Sequence, residues 1–171
     1  MSNATKRLLI RTAIHGVVLL ALYVLQAMVF SRLRIFGIAP FILPLAVVGV
    51  GLFEGPTWGG GFGLAAGVLS DMAFLDTTIL LTILLAGLGL GVGLLSHYLL
   101  RGGFPSYFLC SLAALLAIAF FQMFTLLVYF GANPLALLRV ALLQTLYSMF
   151  FVLPLYYITR ALGRRATREL S

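Results

Sequence analysis

Apolar residues in this chain form long runs that are separated by short stretches containing Gly, Pro and charged residues. Runs of about 18 residues or more with few charges are typical of helices that cross a lipid bilayer. Six such segments are predicted, approximately 8–30, 35–53, 58–75, 79–100, 107–130 and 135–162. The pattern predicts an all-α integral membrane protein with a single domain, residues 1–171, built as one bundle of about six transmembrane helices.

The composition agrees with lipid as the main solvent of the folded chain. Of its 171 residues, 63% are hydrophobic and 9% are charged, whereas soluble domains have about 45–50% apolar and about 25% charged residues. A soluble domain of this size could not bury so much apolar surface, because surface area outgrows core volume in small domains. The six segments also leave no room for a separate soluble domain.

The net charge of +7 arises from eleven Lys and Arg against four Asp and Glu. The basic residues lie between or beyond the apolar runs, as topology signals do, so nucleic acid is not expected as a partner. With the N-terminus inside, eight basic residues fall on the cytoplasmic side and three on the outer side: Lys6, Arg7, Arg11, Arg101, Arg160, Arg164, Arg165 and Arg168 against Arg32, Arg34 and Arg139. This balance predicts a multi-pass membrane protein with both termini in the cytoplasm.

The second segment is less regular than the others because Pro40 and Pro44 fall within it. A proline inside a helix removes a hydrogen bond and kinks the helix, but it is tolerated in the first turn. The sequence leaves both arrangements open.

The stretch from Glu54 to Asp71 carries the most information. Gly59, Gly63 and Gly67 are spaced by four and Asp71 continues the series, so these residues form one slowly drifting stripe on a helix. Small residues on a stripe let another backbone approach closely. The stripe is interpreted either as a tight helix crossing within the chain or as a docking groove for a partner's helix. A second small face in the fourth segment would pair with it: Gly87, Gly89, Gly91 and Gly93.

Asp71 lies well inside an apolar run, where an unpaired charge costs at least a few kcal/mol. It is expected to be protonated or to find a partner, and Arg32, Arg34 and Arg139 are predicted on the same side of the membrane. A neutralised tether between helices is favoured over a proton or ion site, since a relay needs several ionisable groups at similar depth. Glu54 is expected to be a solvated charge at the end of the second helix.

No catalytic, cofactor or metal site is expected, and the chain is not predicted to be an enzyme. It has no G-x-S-x-G, H-E-x-x-H or phosphate-binding G-x-x-x-x-G-K-[ST] sequence. His15 and His97 are isolated from other potential ligands, and a metal site needs several that converge. Both are expected to be hydrogen-bonded residues near the membrane interface. Gln26, Gln122 and Gln144 are expected to form hydrogen bonds between helices.

The order of these residues resembles that of the rod shape-determining protein MreD family. The resemblance covers the layout of the whole chain, and its specific part is confined to residues 26–71. The chain departs from the family at Asp76-Thr77-Thr78, where a Leu-Gly pair is often found after the aspartate. The matching residues are Gln26 at the end of the first helix, Pro40 opening the second, Glu54-Gly55-Pro56, and then Gly59, Gly60, Gly63, Gly67 and Asp71.

This resemblance implies a non-catalytic scaffold of the cell-elongation machinery, which builds peptidoglycan in rod-shaped bacteria. The direct partner would be an MreC-like bitopic protein, with MreB and the RodA–transpeptidase synthase as indirect partners. Gly59, Gly63, Gly67 and Asp71 would form a helix-packing or partner surface. The basic tail would contact cytoplasmic lipids or proteins through Arg160, Arg164, Arg165 and Arg168.

An alternative resemblance is to the substrate-binding subunits of energy-coupling-factor vitamin transporters, which are also small, basic, glycine-rich proteins of six helices. It implies a similar fold and a pocket that opens outward. Against it, the first helix lacks an Ala-x-x-x-Ala docking pattern, since Ala13 is followed four residues later by Val17. The predicted outer loops also contain few polar side chains to hold a vitamin. A small channel-forming oligomer has less support, because no segment shows a repeated polar stripe.

Overall fold

A computed structural model of the chain describes residues 3–30, 40–73, 80–98, 103–131 and 133–168. Within these ranges the regular structure is helical and contains no strand, as predicted. The helices are α1 (Asn3–Val24), which continues into a π-helical turn (Leu25–Phe30), α2 (Leu43–Glu54), α3 (Pro56–Ala73), α4 (Leu80–Tyr98), α5 (Phe104–Phe130), α6 (Pro134–Met149) and α7 (Val152–Arg168).

The sixth predicted segment is wrong as a single helix, because α6 and α7 are bent by 53° relative to each other. Pro154 explains the break. It has no N–H to donate to the carbonyl of Phe150, and its ring clashes with that carbonyl. The Phe150 N–H itself bonds back to Tyr147, three residues earlier, so the chain tightens before it turns. The second helix also differs from its predicted start, since it begins at Leu43; residues 31–39 lie outside the described part.

Within the described residues, two helical stretches are long and apolar enough to cross a membrane, Leu8–Met28 and Phe104–Val128. The bent pair of α6 and α7 makes a third if it is counted as one span. Leu43–Glu54 and Leu81–Ser96 are apolar but shorter. The described helices are therefore compatible with a membrane protein, while the predicted number of six crossings is not established by their lengths.

Helix α2 is the centre of the bundle. Every residue from Pro40 to Leu52 is buried, and α3, α4, α5 and α7 all pack around the helix. Its sequence, LPLAVVGVGLFE, is apolar on all sides until the final Glu, and a helix without a polar face has to be enclosed. The segment that the prolines make irregular in sequence is therefore the most deeply buried one.

Gln26 holds the backbone that leads into α2. Pro40 precedes α2, which begins at Leu43, so its carbonyl lies outside the hydrogen-bond ladder of the helix and needs another donor. Gln26 Nε2 donates to this carbonyl at 2.8 Å, and Gln26 Oε1 accepts from the N–H of Ile42 at 2.9 Å. Its carboxamide thus acts as a substitute peptide group, which confirms the hydrogen-bonding role predicted for this glutamine.

Helices α5 and α6 also reach the backbone of α2 and of the residues before it. The N–H of Phe41 donates to Ser148 Oγ at 2.9 Å. The buried hydroxyl of Tyr107 donates to the carbonyl of Leu45 at 3.0 Å. In lipid, no water replaces such partners, so irregular backbone has to be satisfied by neighbouring protein groups.

We expect Gln26→Leu to lower the free energy of unfolding by about 2–4 kcal/mol, because it leaves one buried carbonyl and one buried N–H without partners. The midpoint of unfolding in mixed detergent, titrated with SDS, measures this change. Gln122→Leu is the matched control, since Gln122 is an exposed glutamine of α5, and we expect its loss to leave the midpoint unchanged. Equal midpoints for wild type and Gln26→Leu would contradict the prediction.

Candidate functional site

The glycine stripe of α3 lies against α4. A Cβ added at Gly59 would lie 2.6 Å from a backbone oxygen of α4, and one at Gly63 or Gly67 would overlap the α4 backbone even more closely. Backbones approach this closely where no side chain separates them. Of the two interpretations of the stripe, the structure has the crossing within the chain, and α4 occupies the place where a partner's helix would otherwise dock.

The glycines of α4 divide into two sets. A Cβ at Gly89 would overlap the backbone of Gly59, and one at Gly93 would overlap the first turn of α3. Gly87 and Gly91 have nothing within 4 Å of their added Cβ atoms. Residues two apart on a helix point to nearly opposite sides, so these four glycines do not form one face.

Asp71 caps α4 from the neighbouring helix. Its Oδ2 accepts from the N–H of Thr82 at 3.2 Å and also from the Thr82 hydroxyl. Thr82 lies in the first turn of α4, where N–H groups have no helical partner and the helix dipole favours negative charge. The partner of this tether is therefore Thr82. Of the three arginines expected, Arg139 is exposed on α6, and Arg32 and Arg34 lie outside the described residues.

The basic tail continues α7. Arg160 Nη1 donates to the hydroxyl of Tyr156 at 3.0 Å, and its guanidinium lies 5.5 Å from the centre of that ring. Arg164, Arg165 and Arg168 follow on the same helix, but their side chains fall outside the described part. The structure thus shows the tail as helical and leaves its contacts with lipid or protein as a prediction.

A cluster that the sequence analysis missed joins α1, α2 and α3 through Glu54. The Glu54 side chain is 2% exposed, so the expectation of a solvated end charge is wrong. Arg11 donates to Glu54 Oε2 from Nη2 at 2.9 Å and from Nε at 3.3 Å, while His15 Nε2 lies 2.7 Å from Oε1. Both carboxylate oxygens are thus engaged by side chains of α1.

Trp58, in the first turn of α3, covers this cluster. Its ring centre lies 4.4 Å from the Arg11 guanidinium carbon and 4.9 Å from the centre of the His15 ring. A cation over an indole face is attracted to the ring, and more strongly where water is excluded. We call Arg11, His15, Glu54 and Trp58 the α1 latch.

The hydrogen bonds of His15 restrict its proton positions. Nδ1 lies 2.8 Å from the carbonyl oxygen of Arg11, and a carbonyl can only accept, so Nδ1 carries a proton. The bond between Nε2 and Glu54 needs one further proton, either on the imidazole or on the carboxyl group. The latch therefore holds an imidazolium beside a carboxylate, or a neutral pair with the proton on Glu54.

In the α1 latch, the side chains of Arg11 and His15 both form hydrogen bonds with the carboxylate of Glu54. Helix α1 packs against α3 along a narrow contact, and many of its other apolar side chains are exposed, including Leu8, Val17 and Leu20. The latch is thus a polar connection between α1 and the rest of the bundle, at the opposite end of α2 from the contacts of Gln26. Among the described residues no group of three or more His, Cys, Asp and Glu side chains could hold a metal ion. The side chain of His97 lies outside the described part.

The packing of α3 against α4 leads us to expect opposite effects on stability when alanine replaces Gly61 or Gly63. We expect Gly63→Ala to lower the free energy of unfolding by about 1–3 kcal/mol, because the new methyl group has to push α4 away. Gly61 has nothing within 4 Å of its added Cβ. Gly61→Ala should therefore leave stability unchanged or raise it by up to about 1 kcal/mol, since alanine is the better helix former. SDS titration of both variants tests this, and equal losses would contradict it.

We expect Glu54→Leu to lower the free energy of unfolding by about 3–5 kcal/mol, because it leaves the Arg11 charge partly buried without a partner. Adding Arg11→Met should restore part of the loss, since replacing both members of an ion pair by apolar residues removes the unpaired charge. The same unfolding assay compares the single and double variants. If the double variant were less stable than Glu54→Leu, the role of Glu54 as the partner of Arg11 would be refuted.

Comparison with known proteins found no relative of this chain. No protein-family model matches the chain, and neither a curated protein nor a solved structure matches it. The function therefore has to be argued from the residues themselves and from the resemblance that their order carries.

Proposed function

We propose that this protein is a non-catalytic scaffold in the bacterial cytoplasmic membrane that serves cell elongation by holding an MreC-like bitopic partner. In this proposal the chain crosses the membrane six times with both termini in the cytoplasm. The RodA–transpeptidase synthase and MreB join the assembly indirectly. The resemblance to the MreD family over residues 26–71 supplies the biological context.

The observation that best supports the proposal is that both described carboxylates form contacts between helices. Glu54 and Asp71 are the acidic residues that the structure describes, and both are engaged in contacts between helices. Glu54 bonds through both of its oxygens to α1, and Asp71 bonds through Oδ2 to the start of α4. These contacts fix α1 to α2 and α3 to α4, as a scaffold requires.

The partner surface of such a scaffold lies outside the glycine stripe, because α4 already covers it. The exposed faces of α1, α5 and α6 are apolar, with large side chains such as Val17, Phe120, Phe124 and Leu146 directed away from the bundle. Basic residues on α7 lie on the proposed cytoplasmic side, where anionic lipid and acidic protein surfaces attract them. We assign the transmembrane segment of the bitopic partner to one of the apolar faces.

The second candidate function is substrate binding for an energy-coupling-factor transporter. The observation that favours it is a small cleft between α5 and α6, with a cavity volume of about 10 Å³ and lined by Gln122 and Gln144, in the proposed outer half of the bundle. Small-molecule pockets usually have about 300–1,000 Å³ and enclose most of the ligand. The cleft is smaller than this range, so the scaffold is the better supported of the two functions.

We expect the tagged full-length chain, solubilised in mild detergent from its native membrane, to co-purify with an MreC-like protein and with cell-wall synthase components. Quantitative mass spectrometry against an equally expressed, equally tagged multi-pass protein provides the control. Recovery of an ATPase with its coupling subunit, or of a bound vitamin, would replace the scaffold by the transporter function. Enrichment of neither set over the control would contradict both.

A further inference from the structure

The N-terminal turns of α1 are held to the bundle by the α1 latch. Before His15, every described side chain of α1 is exposed or partly exposed. His15 itself is buried, as are Leu19 and Leu22 further along the helix. At the far end, Gln26 bonds to the backbone that leads into α2. The latch is therefore the last point at which α1 is fixed, and the turns before it depend on the latch.

Both ring nitrogens of His15 face groups that accept hydrogen bonds. Nδ1 lies 2.8 Å from the carbonyl oxygen of Arg11, and Nε2 lies 2.7 Å from Glu54 Oε1. A neutral imidazole carries a single N–H, so beside an ionised Glu54 it can donate to only one of these oxygens. Whichever nitrogen keeps the proton, the other then directs a lone pair at an oxygen. The closed latch thus holds one proton more than a neutral histidine and a carboxylate together possess.

Water does not replace a missing hydrogen bond inside the closed latch. The side chains of His15 and Glu54 are 7% and 2% exposed, and the Trp58 ring lies 4.9 Å from that of His15. A buried acceptor that loses its donor carries the full cost of its removal from water. Loss of the shared proton therefore favours a state in which His15 and Glu54 both reach water, and this requires α1 to move away from α2.

Among the described residues that face this pair, Arg11 carries the one further charge. It lies on α1, bonds to Glu54 Oε2 and stays protonated in proteins. The residues that α3 and α7 place around the pair do not titrate: Trp58, Phe62 and Gly163. The side chains of the arginines that follow on α7 lie outside the described part. Within the described cluster, the proton between His15 and Glu54 is therefore the one that a change of pH removes.

We propose that the α1 latch is a pH-dependent clamp, which holds the N-terminal turns of α1 against α2 and α3 while His15 and Glu54 share a proton and releases them when that proton is lost. Above about pH 6.5, a solvated histidine is neutral and a solvated carboxyl group is ionised. In that range the closed latch binds one proton more than the open one, so closure weakens as the pH rises. The proposal does not depend on the scaffold function.

Distances between pairs of spin labels, measured by double electron–electron resonance in liposomes, test the release. The chain carries Cys110→Ala to remove its buried cysteine, with labels at Leu9→Cys on α1 and Thr57→Cys on α3, two exposed positions. The control pair is Leu20→Cys with Leu64→Cys, also exposed, on the part of α1 beyond the latch. From about pH 6 to about pH 10, across the ordinary titration of histidine, we expect the first pair to move apart and the control pair to keep its distance.

His15→Gln separates the effect of the proton from other effects of pH. Its carboxamide supplies an N–H donor to Glu54 that does not titrate. In the wild type we expect the open fraction to rise about tenfold over this pH range, because a hydrogen bond to a charged partner is lost. In His15→Gln the open fraction should not change with pH. Thr12→Val is the matched control on α1, since the Thr12 hydroxyl bonds within its own helix, and it should keep the wild-type profile.

Nitrogen NMR follows the proton itself. The chain has two histidines, so in a ¹⁵N-histidine-labelled sample the signals that vanish in His15→Gln belong to His15. We expect the Nε2 signal of His15 to shift in the same pH range in which the labels on α1 and α3 move apart.

Three results would overturn the proposal. The distance between α1 and α3 would stay constant while the His15 signals titrate, or His15→Gln would open with the pH profile of the wild type, or the control pair would move apart together with the first pair. The last result would show that the whole bundle unfolds. Failure of the scaffold function would appear in co-purification and would leave these distances unaffected.

Discussion

A carboxylate that is taken out of water needs hydrogen-bond donors, and Glu54 finds them on α1. Arg11 occupies one of its oxygens and His15 the other, at 2.9 and 2.7 Å, while Trp58 covers both donors. Glu54 ends α2 and Gly55 follows it with a positive φ of 92°, so that α3 can start at once with Pro56. One acidic residue therefore fixes the position of α1 at the point where α2 turns into α3.

Buried backbone groups at the other end of α2 also need hydrogen-bond partners. The residues before α2 present backbone groups that lie outside the hydrogen-bond ladder of the helix. Gln26 and Ser148 satisfy these groups from the π-helical turn after α1 and from α6. Because α2 is apolar on all sides and enclosed along its length, these few polar contacts at its two ends largely decide how the surrounding helices are arranged about it.

The helical class and the closeness of α3 to α4 could be predicted from the sequence, because both rest on local patterns. Long apolar runs predict membrane helices, and glycines spaced by four predict a stripe on one helix face that another backbone can approach closely. The prediction for Gln26 was also right, since a carboxamide in an apolar run needs a partner. What spacing does not give is the identity of that partner when it is distant in the chain. Asp71 was expected to be protonated or to find a partner, and the structure gives Thr82 at the start of the next helix; of the candidate arginines, Arg32 and Arg34 lie outside the described residues.

The sequence contains a signal for the α1 latch that the sequence analysis did not use. Arg11 and His15 lie one turn apart on the same face of α1, and the predicted topology already placed Glu54 on the same side of the membrane. Depth alone therefore brought a carboxylate to the level of two basic side chains. The interpretation of Glu54 as solvated treated the end of a short helix as the membrane surface, whereas Arg11 and His15 of α1 and the neighbouring Trp58 leave its side chain 2% exposed.

The polar side chains of this protein divide into those that fix one segment of the chain against another and those that do not. Glu54, Asp71 and Gln26 all bond to other segments of the same chain, and each fixes one element against another. Gln122 and Gln144 are of the same chemical kind as Gln26 but lie at an open cleft between α5 and α6. Gln26 therefore fixes a segment of backbone, whereas neither Gln122 nor Gln144 fixes one helix against another within the described residues.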